Sequence, residues 1–217
     1  MGPRLPIARE GWPVIATVAA VLGAVAVVGA AAGRPSAVIP LVVGLGLALN
    51  FFRDPERVPP PGERLVVAPA DGRVVAVASE REEGFLRAPA TRVSIFMSPL
   101  DVHVNRNPVS GTVLAVRHTP GRFRAAFADK ASLDNERNAV GLEAGGRRYL
   151  VVQIAGALAR RIVCRVRPGD AVRRGERMGM IMFGSRVDLW MPSDVRPLVR
   201  RGDRVRAGAT ALAEAPE

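Results

Sequence analysis

Two short frames, each written twice, constrain this chain more than any other feature. Pro69-Ala-Asp-Gly-Arg-Val-Val-Ala-Val77 and Pro108-Val-Ser-Gly-Thr-Val-Leu-Ala-Val116 share Pro-x-x-Gly-x-Val-x-Ala-Val at an offset of 39 residues. Val166-Arg-Pro-Gly-Asp-Ala-Val-Arg-Arg-Gly175 and Val199-Arg-Arg-Gly-Asp-Arg-Val-Arg-Ala-Gly208 share Gly-Asp-x-Val-x-x-Gly at an offset of 33. In each frame a glycine permits a tight turn, and the flanking valines supply strand faces. Recurrence at a fixed spacing points to a repeated structural unit. Valine-rich runs between Gly, Pro and Asp turns predict strands at Leu65–Ala68, Val74–Val77, Val93–Met97, Val113–Val116, Tyr149–Ile154, Ile162–Val166 and Met178–Met182. Only Ala125–Asn135, where alanine mixes with charge, predicts a helix. The chain from Leu65 onward is expected to be mostly β.

The paired frames resemble those of biotinyl/lipoyl-type barrel-sandwich domains, which implies a barrel-sandwich-hybrid-like fold. Those carriers present a lysine at a hairpin tip. The one lysine here, Lys130, lies in neither frame, so carrier chemistry is disfavoured while the architecture stands as an expectation.

The N-terminal quarter is different material. No charge occurs from Trp12 to Gly33, a run long enough to cross a hydrocarbon core of about 30 Å as a helix. A second, shorter apolar run follows from Ala37 to Phe52, with Gly33-Arg34-Pro35 as the turn between them. We expect residues 1–52 to form a membrane-associated helical hairpin and residues 53–217 a separate β-rich catalytic domain. Arg4 and Arg9 lie before the hairpin, Arg53 and Arg57 after it, and only Arg34 between. The positive-inside rule then puts both ends, and the β domain, on the cytoplasmic face of the cell membrane. A signal peptide ending at Ala30-Ala31-Ala32 is the competing reading, and the immediate return of an apolar segment disfavours it.

Several chemistries are excluded by count. One cysteine, Cys164, allows no internal disulfide and no cysteine-based zinc or iron–sulfur site. Two histidines, His103 and His118, cannot build a polyhistidine metal centre, so no metal is expected. The net charge of +11 invites a nucleic-acid reading, but 5% aromatic residues offer few stacking platforms and no such partner is expected. Phe183-Gly184-Ser185, between two apolar runs, reads on composition alone as a turn with a solvated serine.

A series of motifs changes that. Met97-Ser-Pro-Leu-Asp-Val-His103 is followed by Asn105, Arg106 and Pro108-Val-Ser-Gly111, and Phe51-Phe-Arg-Asp-Pro55 and Ala70-Asp-Gly72 precede them. Asp129-Lys-Ala-Ser132, Asn135-Glu-Arg-Asn138, Val152-Gln-Ile-Ala-Gly156, Ala159-Arg-Arg-Ile162 and Phe183-Gly-Ser185 come after, in order. Over residues 47–217 the sequence resembles the phosphatidylserine decarboxylase proenzymes of the short bacterial and archaeal type; the archaetidylserine decarboxylases share the pattern.

The resemblance implies a carboxy-lyase that converts phosphatidylserine to phosphatidylethanolamine and CO2. It implies self-cleavage between Gly184 and Ser185, giving chains 1–184 and 185–217 that remain together as a heterodimer, alone or in a larger assembly. Its cofactor is then pyruvate, as a covalent pyruvoyl group made from Ser185 that captures the substrate amine. The family pattern assigns catalytic roles to Ser185, His103 and Asp71. Arg137, Asn138, Arg160 and Arg161 are candidate contacts for the headgroup of phosphatidylserine in an anionic membrane, because arginine forks suit phosphate and carboxylate. Larger family members carry His-x-x-His after the Ser-Pro motif, with the second histidine implicated in cleavage; Arg106 stands there in this chain. His103 in both steps, His118, or Asp71 without a histidine relay are the alternatives for the cleavage base. A membrane-tethered adaptor that lacks catalysis is the competing function, and it requires an intact chain.

Overall fold

The computed structural model describes residues 6–121, 135–156, 161–182 and 185–217; the expected helix at Ala125–Asn135 falls almost wholly outside them, as do Lys130, Arg160 and Gly184. The chain divides into two units, Met1–Glu56 and Arg57–Glu217.

The first unit is a helical hairpin. Helix α1 (Gly11–Ala31) and helix α2 (Ile39–Phe51) are joined by a 3-10 turn at Pro35–Val38, and Gly33 takes φ +71° where the chain reverses. Neither helix carries a polar stripe; both are apolar all round, the pattern of a helix not meant to face water. Val21, Val25, Val27, Val28, Val42, Val43 and Leu47 are all exposed. At 1.5 Å per residue α1 is about 30 Å long and is able to cross a hydrocarbon core, whereas α2 alone falls short. The two ends of the hairpin lie side by side: the Ala8 N–H donates to Phe52 O at 2.7 Å and the Asp54 N–H to Pro6 O at 2.7 Å.

The second unit is mostly strand, as the valine pattern implies. Its strands are β1 (Leu65–Val67), β2 (Gly72–Glu82), β3 (Ala88–Met97), β4 (Val104–Arg106), β5 (Gly111–Thr119), β6 (Arg137–Ala144) and β7 (Arg147–Ala155). The series continues with β8 (Arg161–Cys164), β9 (Ala171–Val172), β10 (Arg177–Met182), β11 (Ser185–Pro192), β12 (Arg196–Pro197), β13 (Arg204–Val205) and β14 (Ala211–Glu214). One eight-stranded sheet runs β13-β2-β3-β11-β7-β6-β5-β9, and two three-stranded sheets run β1-β14-β12 and β4-β10-β8. Each of the seven strands read from the sequence is present.

The sequence frames become a pseudo-two-fold. Gly72 of β2 pairs with Val205 of β13, and its counterpart Gly111 of β5 pairs with Val172 of β9. The register slips between Val74 and Ala76 in one half and between Val113 and Ala115 in the other, at the same offset. A Cβ at Gly72 would stand 2.1 Å from Phe96 O, and one at Gly111 1.9 Å from Glu143 O, so both positions require glycine for the close approach of two backbones. The same offsets carry β1 onto β4, and β14 and β12 onto β10 and β8. Even side-chain contacts repeat. Asp71 Oδ1 accepts the Ala207 N–H at 2.7 Å, and Ser110 Oγ accepts the equivalent Arg174 N–H at 2.9 Å.

The core lies on one face of the large sheet. Val93, Ile95 and Met97 of β3, Val140 and Leu142 of β6, Val151 of β7, and Val187, Leu189 and Met191 of β11 all turn inward and are fully buried. Period-2 alternation puts Ser185 at the head of that same face.

Candidate active site

Ser185 is the first residue of β11, paired with Met97 of β3 on one side and Ala155 of β7 on the other. It is wholly buried, unlike a turn serine, which would point to water. Its hydroxyl donates to Met97 Sδ at 3.3 Å. The same sulfur accepts from Asn105 Nδ2 at 3.7 Å. Asn105 Oδ1 in turn accepts from Gln153 Nε2 at 2.8 Å, and Gln153 Oε1 accepts from Asn138 Nδ2 at 2.9 Å. A thioether offers only lone pairs, so the end at Met97 fixes the direction of every amide in the chain. The Asn105 and Gln153 carbonyls each accept from the residue behind, and the chain ends in an NH2 group at the sulfur that Ser185 also contacts. All three amides are buried.

These amides mark where the pseudo-symmetry is broken. Asn105, Arg106 and Asn107 stand at the positions of Val66, Val67 and Ala68 in the other half, which are buried apolar residues. The pair Asn138–Gln153 occupies the register place of Thr91–Met191. The other half therefore builds the same places without an amide side chain.

His103 lies just before β4 and is fully buried. Its Nδ1 stands 2.9 Å from Asp101 O, a carbonyl that can only accept, so Nδ1 carries the proton and Nε2 is the basic nitrogen of the neutral ring. The His103 carbonyl accepts the Ile181 N–H at 3.3 Å, which sets the histidine beside the end of β10, the strand that leads to Ser185. Asp101 braces this loop: its Oδ2 accepts the Ser98 N–H at 2.8 Å and the Ser98 hydroxyl at 2.7 Å.

Asp71 sits elsewhere. Its Oδ2 pairs with Arg57 Nη2 at 3.0 Å while Oδ1 holds the Ala207 N–H. The registers of β2, β3 and β11 align Arg73, Phe96 and Arg186. The start of β2 is thus two strands, roughly 10 Å, from the start of β11. Arg106 is buried and donates to Gly175 O at 2.8 Å. Its stem packs against Gly208, the neighbour of Ala207.

Of the expected headgroup residues, Asn138 is tied into the amide chain, Arg137 is half-buried on the opposite face of the sheet, and Arg161 is exposed. Met97, Asn105, Gln153 and Arg57 carry roles that the sequence motifs alone did not assign. For Asn105 the signal was present, since the 39-residue offset aligns it with Val66. On the outer face, directly after Ser185, Arg186 Nη2 pairs with Asp188 at 2.9 Å, and Arg92 bonds Ser94 and Glu80, each at 2.7 Å. This polar cluster braces β11 from behind.

A family model described as phosphatidylserine decarboxylase matches residues 45–213. A protein of Polynucleobacter asymbioticus named phosphatidylserine decarboxylase proenzyme is 44% identical over 216 residues, covering 100% of this chain and 98% of its own. Proteins of the same name from Syntrophus aciditrophicus and Burkholderia mallei are similar. The first is 49% identical over 177 residues, or 81% of this chain and 83% of that one. The second is 46% identical over 216 residues, or 99% of this chain and 98% of that one.

Proposed function

Because the chain belongs to the phosphatidylserine decarboxylase family of carboxy-lyases, we propose that it is a proenzyme that cuts itself before Ser185 and then decarboxylates phosphatidylserine. The observation that supports this most is the burial of Ser185 at the head of a central strand, with its hydroxyl oriented by a sulfur that can only accept.

The cleavage needs only atoms of the chain and one water. Ser185 Oγ attacks the carbonyl carbon of Gly184; the new C–O bond forms, the C–N bond breaks, and the hydroxyl proton passes to the nitrogen. The product is an ester with a free amine on residue 185. Loss of the Cα proton and of the Cβ–O bond releases the carboxylate of Gly184 and leaves dehydroalanine. One water then hydrolyses its imine tautomer, ammonia departs, and a pyruvoyl group caps the new chain end.

The site fits that group. Residue 185 is held on both sides by β3 and β7, so a chain end made there stays in place, and the Asn105 NH2 is a donor at the same Met97 sulfur. Once formed, the ketone supplies the electron sink for loss of CO2. His103 holds and delivers the proton at Nε2. The chains 1–184 and 185–217 stay together as a heterodimer because β11 remains hydrogen-bonded between its neighbours. Arg137, Arg160 and Arg161 are proposed contacts for the phosphate and carboxylate of the lipid headgroup.

Asp71 is proposed to support cleavage by fixing Arg57 and the β13 turn next to Arg106. Asp71→Ser installs the residue that the other half uses at this position, so the fold should survive, as a thermal melt would show. Self-cleavage, followed on a denaturing gel, should slow; a wild-type rate would restrict Asp71 to its turn.

The apolar hairpin is the proposed membrane anchor, with the β domain on the cytoplasmic face. Deleting residues 1–50 should release the protein from sedimented membranes at high salt, where attraction to basic patches is screened. If the truncated protein still pellets fully, the anchor lies elsewhere.

The test of the function itself is direct. Purified full-length protein should run as two chains, carry a pyruvoyl cap by mass spectrometry, and release CO2 from phosphatidylserine vesicles. A single unmodified chain inactive on these vesicles would defeat the reading.

A further inference from the structure

We infer that Asn105 is the hydrogen-bond donor for the oxyanion of self-cleavage, and that Gln153 and Asn138 are positioning residues that hold it. The inference rests on the proposed attack by Ser185. In that attack the carbonyl oxygen becomes an anion two bonds from Oγ, on the carbon to which Oγ has just joined. A donor stationed beside Oγ is therefore within reach of the charge as it develops. Asn105 Nδ2 is the candidate: it contacts the same Met97 Sδ as the Ser185 hydroxyl, at 3.7 Å against 3.3 Å, so the two atoms lie no more than 7.0 Å apart.

Three further observations favour this role. The thioether is a weak acceptor. Asn105 Nδ2 is thus held at the sulfur it shares with Ser185 by a weak contact, which it can exchange for a bond to an anion. Its other amide atom, Oδ1, is committed to Gln153, which is itself committed to Asn138. The donor is thus pre-oriented, which is what makes stabilisation of a developing oxyanion effective in a buried place. Ser185 and Asn105 are also both fully buried. Burial of both groups suits a reaction between parts of the same chain.

A structural explanation for the amides is weakened by the fold itself. The other half of the pseudo-two-fold builds the same positions from Val66, Thr91 and Met191. Those residues also define the variants. Asn105→Val and Gln153→Met each remove one element of the donor system with a residue that the framework already accepts. The triple variant Asn105→Val/Gln153→Met/Asn138→Thr replaces the whole chain and leaves no amide stranded, which guards against loss of the fold through an unpaired buried group.

The experiment follows self-cleavage of full-length protein after synthesis, by gel and by intact mass, with circular dichroism as the check on folding. Asn105→Val should slow scission about 10²–10³-fold, the usual loss for one oxyanion donor. Gln153→Met should slow it by a smaller factor, and the triple variant should be no faster than Asn105→Val. Hydroxylamine, which cuts an ester wherever one accumulates, should not restore the rate, because the lost donor acts before the ester exists. A folded triple variant that cleaves within threefold of wild type overturns the inference, as does full rescue of Asn105→Val by hydroxylamine. A wild-type chain that never cleaves defeats the proposed maturation instead, and is told apart because no variant is needed to see it.

Discussion

Ser185→Ala should leave one intact chain of 217 residues, with no pyruvoyl group and no decarboxylation above background. The hydroxyl oxygen is the only heavy atom removed, and the methyl that remains fits a position already packed between Met97 and Ala155. The fold should therefore persist, so that loss of cleavage is a loss of the nucleophile. In wild type the smaller fragment should resist Edman degradation, since its first residue presents a ketone where an amine is required. Ser185→Thr keeps a hydroxyl but adds a methyl that hinders the acyl shift; cleavage should be slow, and elimination should leave a 2-ketobutyryl cap. An uncleaved Ser185→Ala protein with wild-type turnover would sink the proposed mechanism outright.

The second large effect is expected at His103. His103→Ala should lower turnover of the mature enzyme by about 10²–10⁴-fold, the range for loss of a general acid–base group. The ring is fixed through Nδ1 to the Asp101 carbonyl, and the loop is fixed through the Asp101 carboxylate to Ser98. Asp101→Asn should accordingly produce a weaker form of the same defect. The measurement has two arms, scission on a gel and CO2 release from vesicles. A His103→Ala protein that cleaves and then turns over normally would remove the histidine from decarboxylation. One that does not cleave assigns it to maturation.

The architecture was legible because it was written twice. The offsets of 39 and 33 residues reappear as matching registers, matching slips and matching glycines, down to Asp71 and Ser110 each holding a backbone N–H. The short strands β4, β9, β12, β13 and β14 and the site's own β11 were not read, and neither were two longer stretches, strand β6 and the outer part of β2. The first contains Gly141, which is covered by the Phe85 ring, and the second ends in the charged run Glu80-Arg81-Glu82. Glu82 belongs to a hairpin tip, where its carboxylate accepts the N–H groups of Gly84, Phe85 and Leu86.

The site was less legible, for a reason that concerns distance along the chain. Ser185 reads locally as a turn residue; it is buried by strands whose sequences lie far upstream. Asn138 looked like a headgroup contact because its motif also carries Arg137, yet alternation turns the two to opposite faces of the sheet. Arg57 read as a flank of the hairpin and is found against Asp71. Local composition does not report such pairings. The asymmetry between repeats does, and Asn105 opposite Val66 was visible in the sequence alone.

The place of β11 has a consequence for how the mature protein persists. Residues 185–217 carry a central strand of the large sheet along with β12, β13 and β14. A cut before Ser185 leaves this network of bonds intact but deletes the covalent memory of how to rebuild it. Refolding becomes a second-order process between two polypeptides, one of which lacks the middle of its own sheet. A molecule cleaved there would be metastable in practice: its lifetime would be governed by the height of the unfolding barrier and not by the equilibrium between folded and unfolded forms. Heating followed by cooling should restore the native fold to the uncut precursor far more readily than to the cleaved protein, so the folding information is used once, before the chemistry begins.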